Sequence, residues 1–159
     1  MQIIKVVICM KKRQVVCITG AGSGLGKEAV INIAKRGHKV IACVLYKEQI
    51  EGLKKIKEKY KLDIEILKLD ITNEEDRNKL SNYNIDVFIS NAAIADSGSI
   101  AEIDIKRIKD VFKVNVFSNI QLTQIVLKNM IEKNKKRKNC IFIFSYWKGS
   151  FTFFRSIFF

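Results

Sequence analysis

The stretch from Thr19 to Gly26 reads Thr-Gly-Ala-Gly-Ser-Gly-Leu-Gly, and it decides the fold. It follows an apolar run, Val15 to Ile18, and opens an amphipathic segment, Lys27 to Arg36. Four of the chain's eight glycines lie within it. The pattern predicts a strand, a tight glycine-rich turn and a helix, in that order.

This order of elements favours a phosphate-binding site. The first N–H groups of a helix have no partner within the helix, and the helix dipole adds a partial positive charge there. Glycines in the turn let the backbone approach an anion without a Cβ in the way. We therefore predict a nucleotide site, with a merely flexible strand-to-helix turn as the alternative.

The rest of the chain alternates apolar runs with amphipathic segments, which predicts parallel βαβ units. The expected fold class is α/β, a doubly wound parallel sheet with helices on both faces, incomplete at its carboxyl end. The predicted strands cover residues 14–19, 39–45, 63–69, 86–90 and 140–145. The predicted helices cover residues 24–35, 47–60 and 73–80, and one long helix covers 105–132.

Composition sets the broad class. At 159 residues with 48% hydrophobic content, the chain fits one packed domain. The formal net charge of +13 raises the question of nucleic acid. The lysines are scattered, however, and the one dense run, Lys133 to Lys138, is interpreted as a solvated loop, so no specific nucleic-acid partner is expected. No membrane partner is expected either, since no apolar run is long enough to span a bilayer.

The cysteine and histidine content argues against metal chemistry and a histidine-based triad. Four cysteines without a Cys-x-x-Cys predict neither a metal site nor a disulfide framework, and three of them fall in predicted strands as small buried side chains. The only histidine, His38, lies in a helix-to-strand turn and is interpreted as structural. The expected location is cytoplasmic.

The glycine spacing distinguishes between dinucleotide fingerprints. Gly-x-Gly-x-x-Gly would need a glycine at Leu25 or at Lys27. The pattern that fits is Thr-Gly-x-x-x-Gly-x-Gly, with Gly20, Gly24 and Gly26. This resembles the cofactor loop of the short-chain dehydrogenase/reductase family, whose fold is a three-layer, Rossmann-like α/β/α sandwich.

The resemblance extends from Lys11 to about Gly149 and implies an oxidoreductase that uses NAD(P). Such an enzyme transfers hydride between nicotinamide and a small carbonyl or alcohol substrate. A homo-oligomer is expected for the family but is doubtful for this chain. The cofactor-binding residues implied are Gly20, Ser23, Gly24, Leu25, Gly26, Lys47, Asp70, Ile71 and Asn91.

Three positions beyond the glycine loop have further roles in the resemblance. By the resemblance, Asp70 lies beside the adenine ring, although a turn or helix N-cap role is the alternative. Ser90-Asn91-Ala92-Ala93 is similar to the family's Asn-Asn-Ala-Gly, so Asn91 would tie the central sheet together near the cofactor. Asn115 would hold a water in the proton relay, with a partly buried structural asparagine as the alternative.

The choice between NAD and NADP is weakly marked. An acid at the end of the second strand would hold the ribose hydroxyls of NAD, but no acid precedes Glu48 there. Lys47 could meet a 2′-phosphate, which favours NADP slightly. Ser23, in contrast, stands where many NADP-using members have arginine. The expected cofactor is NAD(P), with a slight preference for NADP.

The catalytic motif of the family is the least complete part of the match. The family uses a Ser, together with a Tyr-x-x-x-Lys pair for proton transfer. Ser145 is the candidate serine, and no Tyr-x-x-x-Lys occurs in the 159 residues. We therefore expect a truncated or frameshifted member that is inactive as it stands, with a non-catalytic nucleotide-binding module or pseudoenzyme as the alternative. The expected division is an extension at 1–10, a dinucleotide domain at 11–149 and an aberrant hydrophobic tail at 150–159.

Overall fold

A computed structural model describes residues 12–133, 141–144 and 153–154, with side chains described for 12–132. Its six-stranded sheet has the order β3-β2-β1-β4-β5-β6. β1 to β5 run parallel, as the alternating pattern predicts, and β6 pairs antiparallel with β5. The strands are β1 Val15–Ile18, β2 Lys39–Val44, β3 Ile64–Lys68, β4 Val87–Ser90, β5 Ile141–Phe144 and β6 Phe153–Phe154.

The helices connect the parallel strands. In chain order they are α1 Gly24–Lys35, α2 Lys47–Tyr60, α3 Glu74–Asn78 with a 3-10 turn at Lys79–Asn82, α4 Ile105–Phe112, a π-helix at Lys113–Ser118, and α5 Asn119–Lys133. Among these described helices, none combines the length and the apolar character needed to span a membrane.

Two apolar clusters lie on the two faces of the sheet, and this makes the three layers. On one face, strand side chains pack with α1 and α2 around Ile33 and Leu53, which are fully buried. On the other face they pack with α5 through Leu122 and Val126. Alternate strand residues serve each cluster, which is why the strands read as continuous apolar runs.

Two of the cysteines confirm the expectation of small buried side chains. Cys17 on β1 and Cys43 on β2 are both buried, with their Sγ atoms 3.7 Å apart. The hydrogen bond to Cys43, together with burial, holds the pKa of Cys17 well above its usual value, so Cys17 remains a thiol. Across the described ranges, no cluster of three or more acidic, histidine or cysteine side chains could hold a metal.

The structure corrects several predicted elements. The long helix predicted over 105–132 is interrupted by the π-helix, which adds a residue per turn and shifts the register of buried positions. The helix predicted over 73–80 begins at Glu74, because Asn73 caps it, and it tightens into the 3-10 turn. The tail at 150–159, expected to be an aberrant hydrophobic segment, contains the short strand β6, which pairs with the edge of β5.

Other predictions lie outside the described residues. These are the extension at 1–10, the lysine-rich run beyond Lys133, Ser145, and the parts of the 150–159 tail that flank β6.

Candidate functional site

The glycine-rich loop lies at the carboxyl end of β1, between β2 and β4. The N–H of Thr19 donates to Ile89 O at 3.1 Å, and the N–H of Ala21 donates to Cys43 O at 3.0 Å. The loop is therefore hydrogen-bonded to both neighbouring strands before α1 begins at Gly24. In open α/β sheets, ligands bind beyond the carboxyl ends of the strands, at the point where the strand order reverses. Here that point is between β1 and β4.

Two glycines of the loop are required by close packing. Gly20 has a φ of +63°, and a Cβ there would lie 2.8 Å from the Cα of Ala92. A Cβ on Gly26 would lie 2.2 Å from the carbonyl oxygen of Gly20. Backbone atoms approach both positions more closely than any side chain allows. The start of α1 is thus pressed against the end of β1, the close helix–strand contact that dinucleotide loops need.

Thr19 and Asn91 join the two central strands beneath this loop. The Oγ1 of Thr19 accepts from the N–H of Asn91 at 2.9 Å and from that of Ala92 at 3.0 Å. In return, Nδ2 of Asn91 donates to the carbonyls of Thr19 and Gly20 at 3.0 and 3.2 Å. The contacts fit the structural role predicted for Asn91, and they add Thr19, which the sequence interpretation passed over.

The first turn of α1 is available to an anion. Its N-cap residue, Ser23, has extended backbone angles and makes no side-chain cap hydrogen bond. The first helical hydrogen bond runs from the N–H of Lys27 to the carbonyl of Ser23. The turn carries no acidic side chain. A phosphate group here would meet the unpaired N–H groups and the positive end of the helix dipole.

A cavity of about 790 Å³ opens over this turn. It is large enough for a dinucleotide, since ligand cavities typically measure ~300–1,000 Å³. The segments at the carboxyl ends of β1, β2, β3 and β4 line it, together with one residue of the π-helix. The lining residues are Thr19, Gly20, Ser23, Gly24, Leu25 and Gly26 after β1; Cys43, Leu45, Tyr46 and Gln49 around the end of β2; Leu69, Asp70, Ile71 and Thr72 after β3; Asn91, Ala92, Ala93 and Ile94 after β4; and Val114 of the π-helix.

The end of β2 is held by Gln49. Its Oε1 accepts from the backbone N–H groups of Leu45 and Tyr46, at 3.2 and 3.1 Å. A Cβ at Gly22 would lie 2.2 Å from Cδ of Gln49, so this side chain bridges the loop after β2 and the glycine loop. Lys47 is the first residue of α2 and is not among the residues that line the cavity; it lines a second surface depression, together with Glu48 and Lys54.

Asp70 lines the cavity and also forms a turn. Its Oδ1 accepts from both the N–H and the hydroxyl of Thr72, at 2.8 and 2.7 Å. The N-cap of α3 is Asn73, whose side chain accepts from the N–H of Asp76 at 3.0 Å. Asp70 therefore both stabilises a turn and lines the cavity, and the prediction that it caps a helix is wrong.

Asn115 is buried in the π-helix, with its side chain bound to one backbone unit. Its Oδ1 accepts from the N–H of Ile94 at 2.9 Å, and its Nδ2 donates to Ile94 O at 2.8 Å. Its own carbonyl accepts from Nδ2 of Asn119 at 3.2 Å. The side chain fixes the loop segment that follows β4, and Asn115 itself is not among the lining residues. The structural alternative therefore accounts for its side chain.

Asn119 was missed by the sequence interpretation. Its Nδ2 reaches the carbonyls of Ala92 and Val114, at 3.1 and 3.0 Å, and its Oδ1 accepts from the hydroxyl of Ser90 at 2.6 Å. A second asparagine four residues after Asn115, inside a helical segment, is the signal that could have found it, since asparagine is a poor helix-interior residue.

These features define a class before any comparison is made. Dinucleotide-binding α/β proteins share three features with this chain. These are a glycine-rich loop between β1 and α1, a helix N-terminus without acidic side chains, and a cavity at the point where the strand order reverses. The sequence profile described as short chain dehydrogenase matches residues 14–150. The chain belongs to the short chain dehydrogenase family.

Individual relatives agree with this family. The chain is 27% identical over 127 residues to the very-long-chain 3-oxoacyl-CoA reductase of Homo sapiens. The matched region covers 74% of this chain and 41% of that protein. It is 30% identical over 125 residues to the oxidoreductase YxnA of Bacillus subtilis, covering 74% of this chain and 35% of that one. The chain thus spans about two fifths of the length of the curated relatives it matches.

Solved structures share the fold. An actinorhodin polyketide ketoreductase with NADPH superposes with a TM-score of 0.71 at 25% identity, over 77% of this chain and 49% of that one. A short chain dehydrogenase of Salmonella enterica serovar Typhi superposes with a TM-score of 0.72 at 24% identity, over 84% of this chain and 57% of that one.

Proposed function

We propose that this chain is the dinucleotide-binding part of an NAD(P)-dependent oxidoreductase. The observation that carries the proposal is the packing at Gly20 and Gly26, where no Cβ fits, directly beneath a cavity that four strand ends share. The residues present fit the cofactor: amides and glycines for the pyrophosphate, and apolar side chains such as Leu69 and Ile71 for a base. We place the binding domain at residues 11–149, which the family match supports.

The cofactor would lie across the carboxyl ends of the strands. Ser23, Gly24 and Leu25 would contact the pyrophosphate, with Gly20 and Gly26 keeping the backbone close. Asp70 and Ile71 would border the adenine, where the Asp70 carboxylate is already held by Thr72. Asn91 would keep its predicted place between the phosphate loop and β4.

We propose NADP as the preferred cofactor. The lining at the end of β2 consists of Leu45, Tyr46 and Gln49, none of which carries a carboxylate to accept from the ribose hydroxyls. Lys47 directly follows Tyr46 in the chain, and its flexible ammonium group can reach toward a 2′-phosphate. The NADPH named with one of the structural relatives agrees with this preference.

The nicotinamide of a bound cofactor would supply hydride exchange with a small carbonyl or alcohol. The described residues would contribute binding and orientation, and Asn115 would hold the chain at Ile94 beside the cavity. The 159 residues contain no Tyr-x-x-x-Lys pair to exchange the proton. We therefore propose cofactor binding without turnover by these residues alone.

The test is a fluorescence titration of the purified chain with NADPH and with NADH, followed by a panel of carbonyl substrates. We expect saturable binding of both, tighter for NADPH, and no turnover. A Lys47→Gln variant should weaken NADPH and leave NADH unchanged. Absence of binding would overturn the cofactor site, whereas turnover at ~1–10³ s⁻¹ would overturn the claim that these residues do not complete the catalytic set.

Two further parts of the proposal concern assembly and location. We propose that the functional protein is a homo-oligomer found in the cytoplasm. Exposed apolar side chains on α4 and the π-helix, Phe112 and Phe117 among them, are compatible with a subunit contact. Light scattering of the purified chain and fractionation of cells test these two statements separately.

A further inference from the structure

A dense group of cations lies at the amino-terminal edge of the sheet, opposite the cavity. It draws on three places in the chain: the segment before β1, the end of α1 and the end of α2. Its exposed members, called here the basic edge, are Lys12, Arg13, Lys35, Arg36, Lys59 and Lys61.

Direct contacts join these places into one surface. The ring of Tyr60 has the ammonium group of Lys35 at 4.7 Å and that of Lys59 at 5.3 Å, so the ends of α1 and α2 adjoin. Arg13 forms an ion pair with Asp63, which lies just beyond α2. The edge is therefore continuous, although its members are far apart in the sequence.

Cations outnumber acids on this surface. Cations near a helix C-terminus offset its partial negative charge, which accounts for Lys35 and Lys59. Arg36 and Lys61 are the C-cap residues of α1 and α2 and lie at the same helix ends, whereas Lys12 and Arg13 precede β1 and have no such role. Of the acids at this edge, Asp63 is already paired with Arg13, and Glu58 lies in the last turn of α2. The remaining positive charge faces solvent and attracts polyanions.

We propose that the basic edge binds single-stranded nucleic acid without sequence preference, on the side of the domain away from the cofactor cavity. Clustered cations would neutralise phosphates, and the exposed ring of Tyr60 between two lysines offers a place for an unpaired base. A membrane surface fits less well, because membrane-binding helices pair basic residues with large apolar anchors. Within the described ranges, Tyr60 is the one exposed large hydrophobic side chain beside these cations.

The test uses fluorescence anisotropy of a labelled single-stranded oligouridine with the full chain. The edge variant is Lys35→Gln, Arg36→Gln and Lys59→Gln. The matched control, Lys106→Gln, Lys109→Gln and Lys113→Gln, removes the same charge from exposed positions on and next to α4. A third variant neutralises the cations of the Lys133–Lys138 run. Lys61 is left unchanged because its backbone is left-handed, with a φ of 49°.

We expect the edge variant to lower the salt slope by about 2, since each phosphate contact on a single strand contributes ~0.7. Its affinity at low salt should fall on the order of 100-fold, with the control unchanged. Equal losses in edge and control variants would reduce the effect to net charge and overturn the proposal. Loss of oligonucleotide affinity in the Lys133–Lys138 variant alone would also overturn the proposal. A chain that binds phosphatidylserine vesicles but not the oligonucleotide would overturn it as well. NADPH titration of the edge variant should match the unmodified chain.

Discussion

Ser23 is the position where anion binding and helix stability respond in opposite directions. It is the N-cap of α1, it lines the cavity, and its side chain makes no cap hydrogen bond. Aspartate at an N-cap caps as well as serine, and its charge favours the helix dipole. The Ser23→Asp variant should therefore fold at least as stably as the unmodified chain. Its carboxylate would nevertheless occupy the place proposed for the pyrophosphate.

The size of the effect follows from the geometry. A carboxylate on Ser23 would lie within about 5 Å of a phosphate held on the first turn, where one pair of like charges costs about 3 kcal/mol at an effective dielectric of 20. Because Ser23 is exposed, screening reduces this to about 2 kcal/mol, or roughly a 30-fold rise in the Kd for NADPH. Thermal unfolding should show an unchanged or slightly higher Tm.

The assay is calorimetric titration with NADPH, in parallel with thermal unfolding. Ser23→Asn is the matched control, because asparagine is an equally good N-cap without charge and should keep the affinity. The penalty for aspartate should shrink at high salt. A folded Ser23→Asp variant that binds NADPH like the unmodified chain would refute the placement of the phosphate on α1.

Three further predictions concern the fold around the site. Gly26→Ala should lower both the free energy of unfolding and the NADPH affinity, because its Cβ would lie 2.2 Å from a backbone oxygen. Gly52→Ala on α2 has open space around it and should raise the free energy of unfolding by up to ~1 kcal/mol. Urea unfolding of both variants measures these changes. Thr19→Val removes the acceptor shared by two backbone N–H groups and should cost ~2–4 kcal/mol; a loss under about 0.5 kcal/mol would contradict the role of Thr19. Burial, reinforced by the Arg36 charge, lowers the pKa of His38 below 6.5. The contribution of neutral His38 to stability is therefore complete above pH 6.5 and is lost as the pH falls through the folded-state pKa. The urea midpoint should fall over this pH range, and His38→Gln should abolish this pH dependence.

Most of the sheet was predictable because strands that are buried on both faces are continuous apolar runs in the sequence. The apolar runs around Cys17, Val40 and Phe88 are strands within one or two residues of their predicted bounds. The glycine loop was predictable for a related reason. Only a turn that needs positive φ and close approach collects glycines at that spacing, and Gly20 shows both properties.

What the pattern missed depends on contacts between distant segments. The π-helix around Asn115 has the same helical periodicity as its neighbours, so its extra residue is invisible without the bonds to Ile94. The role of Thr19 depends on the amides of Asn91 and Ala92, more than seventy residues away in the chain. Phenylalanine favours strands throughout the tail, so only the pairing with β5 selects Phe153–Phe154 as the strand β6.

Hydrogen exchange of the backbone amides, with and without NADPH, locates the bound cofactor on the chain and so tests the phosphate site at the start of α1. We expect slowed exchange at Ser23 to Gly26 and at Asp70 to Thr72, with no change along α4. Protection confined to other parts of the chain, or saturable binding that leaves the Ser23 to Gly26 amides unprotected, would contradict it.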